Sequence, residues 1–214
     1  MKPFTICIGR QLGAGGRPIG KRIAELLSME YYDKEILAMA ARESGYSEEL
    51  FAKQDEKKGF FANVMRSVSP FSTGGVYYGG TLSDAALFEL QTAAIRKAAE
   101  DHNCIFIGRA ADYVLRDHER MVSVFISADE ADRLQRVCEH DQLDEYAAHK
   151  RIEKIERKRA AYYNFYTGKR WGDAASYDLC VNSSRLGLEQ TALFIADFAK
   201  HRLADIEAQN EAQK

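Results

Sequence analysis

Five short apolar runs divide the chain, and within each run apolar residues follow one another with little alternation. The runs cover residues 4–8, 31–32, 104–107, 122–126 and 179–181. Runs of this kind are typical of strands buried on both faces, as in a parallel sheet covered by helices. The pattern therefore predicts five parallel strands, with the weakest signal at 31–32.

Between these runs, apolar residues recur every three to four positions, which is the spacing of amphipathic helices. The helical stretches are 19–27, 87–98, 131–138, 148–166 and 188–199. Ser127 and Glu130 match a capping box and predict where the third helix begins. Strands that alternate with helices form right-handed βαβ units. The sequence thus predicts an α/β fold with three layers, α/β/α, around a five-stranded parallel sheet.

Residues 46–81 break this rhythm. Glycines and aromatic residues are interleaved there without a strand or helix period. A long irregular stretch in a compact domain is usually a functional flap or a disordered insert, and the aromatic residues argue against simple disorder. Two interpretations stay open: a mobile segment that faces a substrate or another subunit, and a folded structural excursion. Tyr77 and Tyr78 make a homodimer one expectation.

Composition limits the classes of function. The 214 residues carry a formal net charge of -2, which gives no overall basic field for a nucleic acid polymer. No apolar run approaches the ~20 residues that span a bilayer, and the first residues lack a signal-peptide pattern. The four cysteines are far apart in sequence, without a CxxC pair. We expect one cytoplasmic domain over residues 1–214, in which a negatively charged substrate would need a local basic site.

A glycine-rich turn joins the first predicted strand to the first helix. Residues 9–18 have the sequence GRQLGAGGRP. A turn of this kind exposes several backbone N–H groups at a helix N-terminus, and these donors bind phosphate. The sequence therefore favours a phosphate-binding loop, and a tight structural turn is the alternative.

The turn departs from the standard P-loop pattern GxxxxGK[ST]. With Gly13 and Gly15 in register, Gly16 stands at the lysine position, Arg17 at the Ser/Thr position and Arg10 at the first glycine. The usual lysine and the usual magnesium-binding hydroxyl are both absent. Arg10 or Arg17 could supply the positive charge.

Two further features bring in arginines. Arg109 follows the strand at 104–107, where residues of a parallel sheet line the ligand crevice; an ordinary surface arginine is the alternative. Residues 150–170 hold eight cations and two acids, and a solvated helix face with intrahelical ion pairs explains most of them. It does not explain Arg159, which falls on the apolar stripe and needs an anion, a carboxylate or backbone carbonyls.

In this order, these features resemble the nucleoside monophosphate kinases, and most of all the cytidylate kinase-like family. Residues 6–21 resemble that family's modified P-loop, in which glycine replaces lysine, and residues 31–36 resemble its next segment. Residues 153–159 resemble the lid pattern D-x-x-D-x-x-R with Glu for Asp, and residues 177–184 match the last strand and turn. Residues 107–110 stand where cytidylate kinases carry Asp-Gly-Arg-Asp, but Ile107 and Ala110 replace both acids.

The resemblance implies phosphoryl transfer from ATP, with Mg²⁺, to a nucleoside monophosphate such as CMP or dCMP. Within the single domain, residues 46–81 would be an inserted nucleotide-binding or flap segment and residues 145–172 a helical lid. Arg17, Arg157 and Arg159 would neutralise the transferred group, and Asp33, Arg42 and Arg109 would hold the acceptor. The donor phosphates would lie on Arg10, Gly13, Ala14, Gly15, Gly16 and Arg17.

The departures from the family pattern leave three hypotheses open. The first is a kinase of a nucleotide or of another small phosphate acceptor. The second is a nucleotide-binding module that signals through lid closure without catalysis. The third is an oligomeric interaction protein that uses residues 46–81. The inward position of Arg159 favours the first two.

Overall fold

Five parallel strands form one sheet at the centre of the structure, a computed structural model that describes residues 3–33 and 84–212. The strand order is β2-β3-β1-β4-β5. Every pair of neighbouring strands is parallel, which confirms the predicted sheet. The strands are β1 (Thr5–Arg10), β2 (Glu30–Tyr32), β3 (Cys104–Ile107), β4 (Met121–Ser127) and β5 (Leu179–Asn182).

Helices connect the strands in the order that the apolar periodicity predicts. They are α1 (Gly16–Leu27), α2 (Asp84–Asp101), α3 (Ala111–Val114), α4 (Glu130–Asp141), α5 (Glu145–Thr167) and α6 (Ser183–Ala212), with a 3₁₀ turn at Ala174–Ser176. The helix α6 contains one non-helical residue, Gly187. The segment 46–81 and Arg42 lie outside the described residues. Among the helices that are described, none is both long and apolar enough to cross a membrane.

The predicted capping box at Ser127 is wrong. Ser127 is the last residue of β4, paired with Asn182 of β5, and its hydroxyl donates to the Val181 carbonyl at 3.3 Å. The helix α4 begins two residues later than that pattern requires, with Asp129 as its N-cap. Pairing at the sheet therefore takes the hydroxyl that the cap would have used.

The two faces of the sheet are buried by different helices, which produces the three layers. Side chains of Ile6 and Ile8 on one face pack in a cluster with residues of α1 and α6. Cys7, between them, points to the other face and packs with Phe106 and with residues of α2 and α3. This alternation follows from the two-residue period of a strand. It explains why the strand sequences are apolar throughout.

The parallel arrangement fixes where a ligand can bind. All five strands end at the same edge of the sheet, and in folds of this kind the ligand crevice lies outside the carboxyl ends of the strands. The turn after β1 and the turn after β3 both lie at this edge, since β1 and β3 are direct neighbours. A third apolar cluster, formed by Val137, Ala148 and Ile152, packs α5 against α4 and so brings the long helix beside the same turns.

Candidate functional site

The turn between β1 and α1 presents backbone donors outward. Gly13 and Gly15 have φ values of 79° and 78°, in the left-handed region that glycine adopts without strain. A Cβ on Gly13 would lie 2.6 Å from the carbonyl oxygen of Arg133, so the backbone also passes too close to α4 for any side chain. The N–H groups of Gly13, Gly15 and Gly16 donate to no partner in the part of the chain that the structure describes. They are available to an anion.

The carbonyl groups of the same turn are held from outside it. Arg136 donates from Nη1 to the Gly13 carbonyl at 3.0 Å. The Ser183 hydroxyl, at the start of α6, donates to the Ala14 carbonyl at 2.9 Å. The carbonyls of Gly13 and Ala14 are thus satisfied, while the N–H groups of Gly13, Gly15 and Gly16 stay unpaired among the described residues. This asymmetry is what a phosphate-binding loop needs.

Four arginines from four separate elements surround this turn. They are Arg10 at the end of β1, Arg17 in α1, Arg109 after β3 and Arg159 in α5. Burial, together with the charges of the other three arginines, lowers the pKa of Arg10 to about 9. Burial likewise lowers the pKa of Arg159 to about 10, with a further contribution from the charge of Arg17. The guanidinium groups are thus close enough to repel one another, and a bound anion would relieve that repulsion.

Arg159 is turned inward, as the apolar stripe of α5 predicts. Its Nη1 atom donates to the backbone carbonyl of Arg10 at 3.0 Å. Arg157, two residues earlier, is exposed to solvent. The two arginines of α5 therefore stand differently: Arg159 lies at the turn after β1, and Arg157 faces water.

Arg17 is the most exposed of the four, with 53% of its side chain accessible. Its Nε atom lies 3.7 Å from a carboxylate oxygen of Asp33, which follows β2. The structure thus brings Asp33 to the turn between β1 and α1, where its carboxylate pairs with Arg17. Asp33 has further contacts beyond that pair.

The turn after β3 holds Arg109 in an uncommon backbone conformation. Gly108, Arg109 and Ala110 have φ values of 76°, 60° and 51°, so three successive residues are left-handed. For a non-glycine residue this costs on the order of 1–3 kcal/mol, and such residues cluster at functional sites. The guanidinium of Arg109 lies 5.5 Å from the ring centroid of Tyr162 on α5, a cation–π distance. The backbone conformation and the contact with Tyr162 together fix Arg109 at the carboxyl edge of the sheet.

The sequence pattern does not single out Arg133 or Arg136, and Glu156 enters it only within the lid-like pattern at 153–159. Arg133 is buried and pairs with the carboxylate of Glu156, which also accepts the Leu12 N–H at 3.3 Å. The Arg133–Glu156 pair, together with Arg136, holds α4 and α5 against the turn between β1 and α1. One signal could have revealed Arg133: it lies four residues before the buried Val137, on the apolar stripe of α4, as Arg159 lies on that of α5.

A buried carboxylate lies behind the Arg109 turn. Asp112 accepts a hydrogen bond of 2.7 Å from the Tyr163 hydroxyl, and the pair is buried. Burial raises the pKa of Asp112. Because its carboxylate is engaged by Tyr163, Asp112 does not replace the acid that the cytidylate kinase motif has at the position of Ala110.

The described residues around the turn do not form a magnesium site built by protein side chains alone. Arg17 occupies the position of the magnesium-binding hydroxyl, and the described ranges contain no group of three His, Cys, Asp or Glu side chains that could hold a metal ion. Mg²⁺ in kinases is usually bound through one or two carboxylates together with the substrate phosphates. Asp33 and Glu156 are carboxylates beside this turn, and they pair with Arg17 and Arg133. Most of the positive charge at the turn therefore comes from arginine.

Comparison with known proteins agrees with the fold and with the motif. The model of the cytidylate kinase-like family matches residues 5–185. The crystal structure of an uncharacterized protein from Eubacterium ventriosum is 25% identical, with a TM-score of 0.70 over 92% of this chain and 98% of its own. Shikimate kinase from Bacteroides thetaiotaomicron shares the fold at 13% identity, with a TM-score of 0.51 and the same two coverages, 92% and 98%. No curated protein matches significantly.

Proposed function

We propose that this chain, which belongs to the cytidylate kinase-like family, transfers the terminal phosphoryl group of ATP to a nucleoside monophosphate of the CMP or dCMP type. The kinase-like character of the family points to phosphoryl transfer in general. An oxygen of the acceptor phosphate attacks the γ-phosphorus, and the bond from that phosphorus to the β,γ-bridging oxygen breaks. The products are ADP and a nucleoside diphosphate. The carrying observation is the convergence of Arg10, Arg17, Arg109 and Arg159 on a turn with unused amides.

The donor phosphates would lie on the turn. The N–H groups of Gly13, Gly15 and Gly16 would donate to phosphate oxygens, and the N-terminus of α1 would add its dipole. Ala14 contributes backbone to the same turn, with its carbonyl held by Ser183. Mg²⁺ would arrive with ATP and neutralise part of the phosphate charge when bound. In phosphoryl transfer the protein supplies position and charge rather than covalent chemistry, and this turn supplies both.

The transferred group would be neutralised by arginines of the loop and the lid. Arg17 and Arg159 flank the turn already, and closure of residues 145–172 would bring Arg157 from solvent. Closure would also exclude water, so that ATP is not simply hydrolysed. Removing one preorganised donor to a transition state costs ~10²–10³ in rate. We expect losses of this size for Arg17→Ala and Arg159→Ala, and a loss for Arg157→Ala only if the lid closes.

The acceptor would bind at the other side of the turn. Arg109, stacked on Tyr162, presents a planar fork suited to a phosphate. Asp33 would lie between donor and acceptor, and Arg42, in the undescribed segment, is the third candidate. The family supports a cytidine nucleotide, whereas the missing acids at Ile107 and Ala110 leave room for another small phosphate acceptor. The choice of acceptor is therefore a matter for direct assay.

A nucleotide-binding module without catalysis is the second candidate, and Gly16 at the lysine position favours it. Thermal unfolding with ATP, ADP, CMP and dCMP tests binding first. A ligand present at ~100 times its Kd should stabilise the protein by ~2.7 kcal/mol. A coupled assay over the four nucleoside monophosphates then tests transfer. Binding without transfer would leave the module, and absence of any nucleotide effect would refute both candidates.

A further inference from the structure

The side chain of Arg10 fills the space beside Gly16. A Cβ built on Gly16 would lie 2.6 Å from Cγ of Arg10 and 2.8 Å from its Cβ. Real Cβ atoms do not approach other carbon atoms so closely. Any side chain at position 16 would therefore overlap the stem of Arg10, and this includes a lysine.

The other end of the same side chain lies against a second glycine. Gly108, after β3, has a left-handed backbone, and a Cβ there would overlap Nη1 of Arg10 as it now stands. The arginine thus runs from Gly16, at the start of α1, to Gly108, at the end of the neighbouring strand. Two glycines that are 92 positions apart in sequence border one guanidinium group and its stem.

Charge and exposure distinguish Arg10 from Arg17. Arg17 is mostly exposed and pairs with Asp33. For Arg10 no carboxylate of the described residues lies within ion-pair distance, and its guanidinium faces the charges of three other arginines. A half-buried cation among cations is costly unless an anion joins it. Of the two arginines that the sequence offers, Arg10 is the one that still needs an anion.

We propose that Arg10 takes over the role of the missing P-loop lysine. From the first position of the turn, its side chain would reach the donor phosphates through the space that Gly16 leaves, and Gly108 would make room for its guanidinium. The ligand class is a polyphosphate, and the inference rests on the proposed function only in assigning that polyphosphate to ATP. It predicts that a lysine at position 16 and an arginine at position 10 exclude each other. Either alone suffices.

The test compares a set of variants by calorimetric binding of ATP and of inorganic tripolyphosphate. Arg10→Gln removes the charge and keeps most of the length, Arg10→Gly removes the side chain, and Gly16→Ala displaces Arg10 without changing any charge. The double variant Arg10→Gly/Gly16→Lys restores the standard pattern. Arg22→Gln is the matched control. Arg22 lies in α1, the helix that Gly16 begins, and its exposed guanidinium pairs with Glu189 of α6.

We expect Arg10→Gln, Arg10→Gly and Gly16→Ala each to weaken binding of both probes by about 10- to 100-fold, the scale for one hydrogen bond to a charged group. The double variant should regain most of the affinity that Arg10→Gly loses, and Arg22→Gln should bind as the parent does. Unchanged affinity in Arg10→Gln, or a double variant no better than Arg10→Gly, would overturn the proposal. If Arg10→Gln does not fold, Gly16→Ala decides in its place.

Measuring transfer separately keeps this inference apart from the proposed function. If the parent binds tripolyphosphate through Arg10 but transfers phosphate to no nucleoside monophosphate, the proposed function fails and the role of Arg10 stands. If the parent transfers phosphate and Arg10→Gln does so equally well, the role of Arg10 fails and the function stands.

Discussion

Replacing Arg159 by glutamine should leave the free protein as stable as before, or more stable, while removing most of its response to ATP. Burial lowers the pKa of Arg159 from its ordinary value to about 10. At 1.36 kcal/mol per pKa unit, holding this charge in the folded protein costs about 3 kcal/mol. The cost is complete at neutral pH, where the arginine is protonated both folded and unfolded, and it would fall only as the pH rises above about 10.

The hydrogen bond of Arg159 partly offsets this cost. Its Nη1 atom donates to the Arg10 carbonyl at 3.0 Å, and a hydrogen bond from a charged group contributes ~1.5–3 kcal/mol. The difference gives Arg159→Gln a change of about 0 to +2 kcal/mol in the free energy of unfolding without nucleotide. A structural arginine would show the opposite sign.

Nucleotide should reverse the comparison. At an ATP concentration of 100 times the parent's Kd, the parent gains ~2.7 kcal/mol. If the substitution weakens ATP binding ~10²-fold, the same concentration equals the variant's Kd, and its gain falls to ~0.4 kcal/mol. Urea unfolding of both proteins, with and without a non-hydrolysable ATP analogue, measures all four values.

Lys154→Gln provides the control, because Lys154 is an exposed cation on the same helix. It loses the same charge without touching the turn and should match the parent in both conditions. A role for Arg159 in nucleotide binding would be refuted if Arg159→Gln lowered the free energy of unfolding by more than ~3 kcal/mol without nucleotide, or if the variant kept the parent's full response to the analogue.

Three further substitutions test other parts of the site. Glu156→Gln leaves the buried Arg133 without its carboxylate and should lower the free energy of unfolding by about 3 kcal/mol, the low end for a broken buried pair; a loss below ~1 kcal/mol in urea would contradict this. Gly13→Ala should lower the melting temperature more than Gly168→Ala, because both glycines are left-handed but only Gly13 faces backbone at contact distance. Asp112→Asn should gain stability relative to the parent as the pH rises above about 4, since burial raises the pKa of Asp112 and ionisation of this carboxyl then favours the unfolded parent; a difference that stays constant with pH would exclude this cost.

The strands could be predicted from sequence because both of their faces are buried. Even the weakest segment, at 31–32, forms β2, which pairs with β3 in parallel register. The start of α4 could not be predicted in the same way. Ser127 carries a capping signal, but its neighbour in the sheet, β5, comes more than fifty residues later, and pairing with it decides where the strand ends.

Part of the candidate site was also readable from the pattern. The glycine turn and the inward Arg159 follow from local sequence, since the first needs a strand–turn–helix and the second needs an apolar stripe. The choice between Arg10 and Arg17 does not follow from local sequence. It depends on contacts of Arg10 with Gly16 and Gly108, and the second of these exists only because β1 and β3 are neighbours.

Under the proposed function, the balance of charge in this site also explains how a chain of net charge -2 would bind an anion without a general basic field. Each arginine comes from a different element, so the repulsion among them is absent in the unfolded chain and is created by folding. Burial of the sheet on both faces supplies the stability that holds them together. An anion that binds only the folded state then recovers part of that cost, so nucleotide should protect the turn, β1 and α5 together. Hydrogen exchange with and without the ATP analogue would show this as joint protection of β1 and its turn together with α5, which lies far from them in sequence, and protection confined to the turn would contradict it.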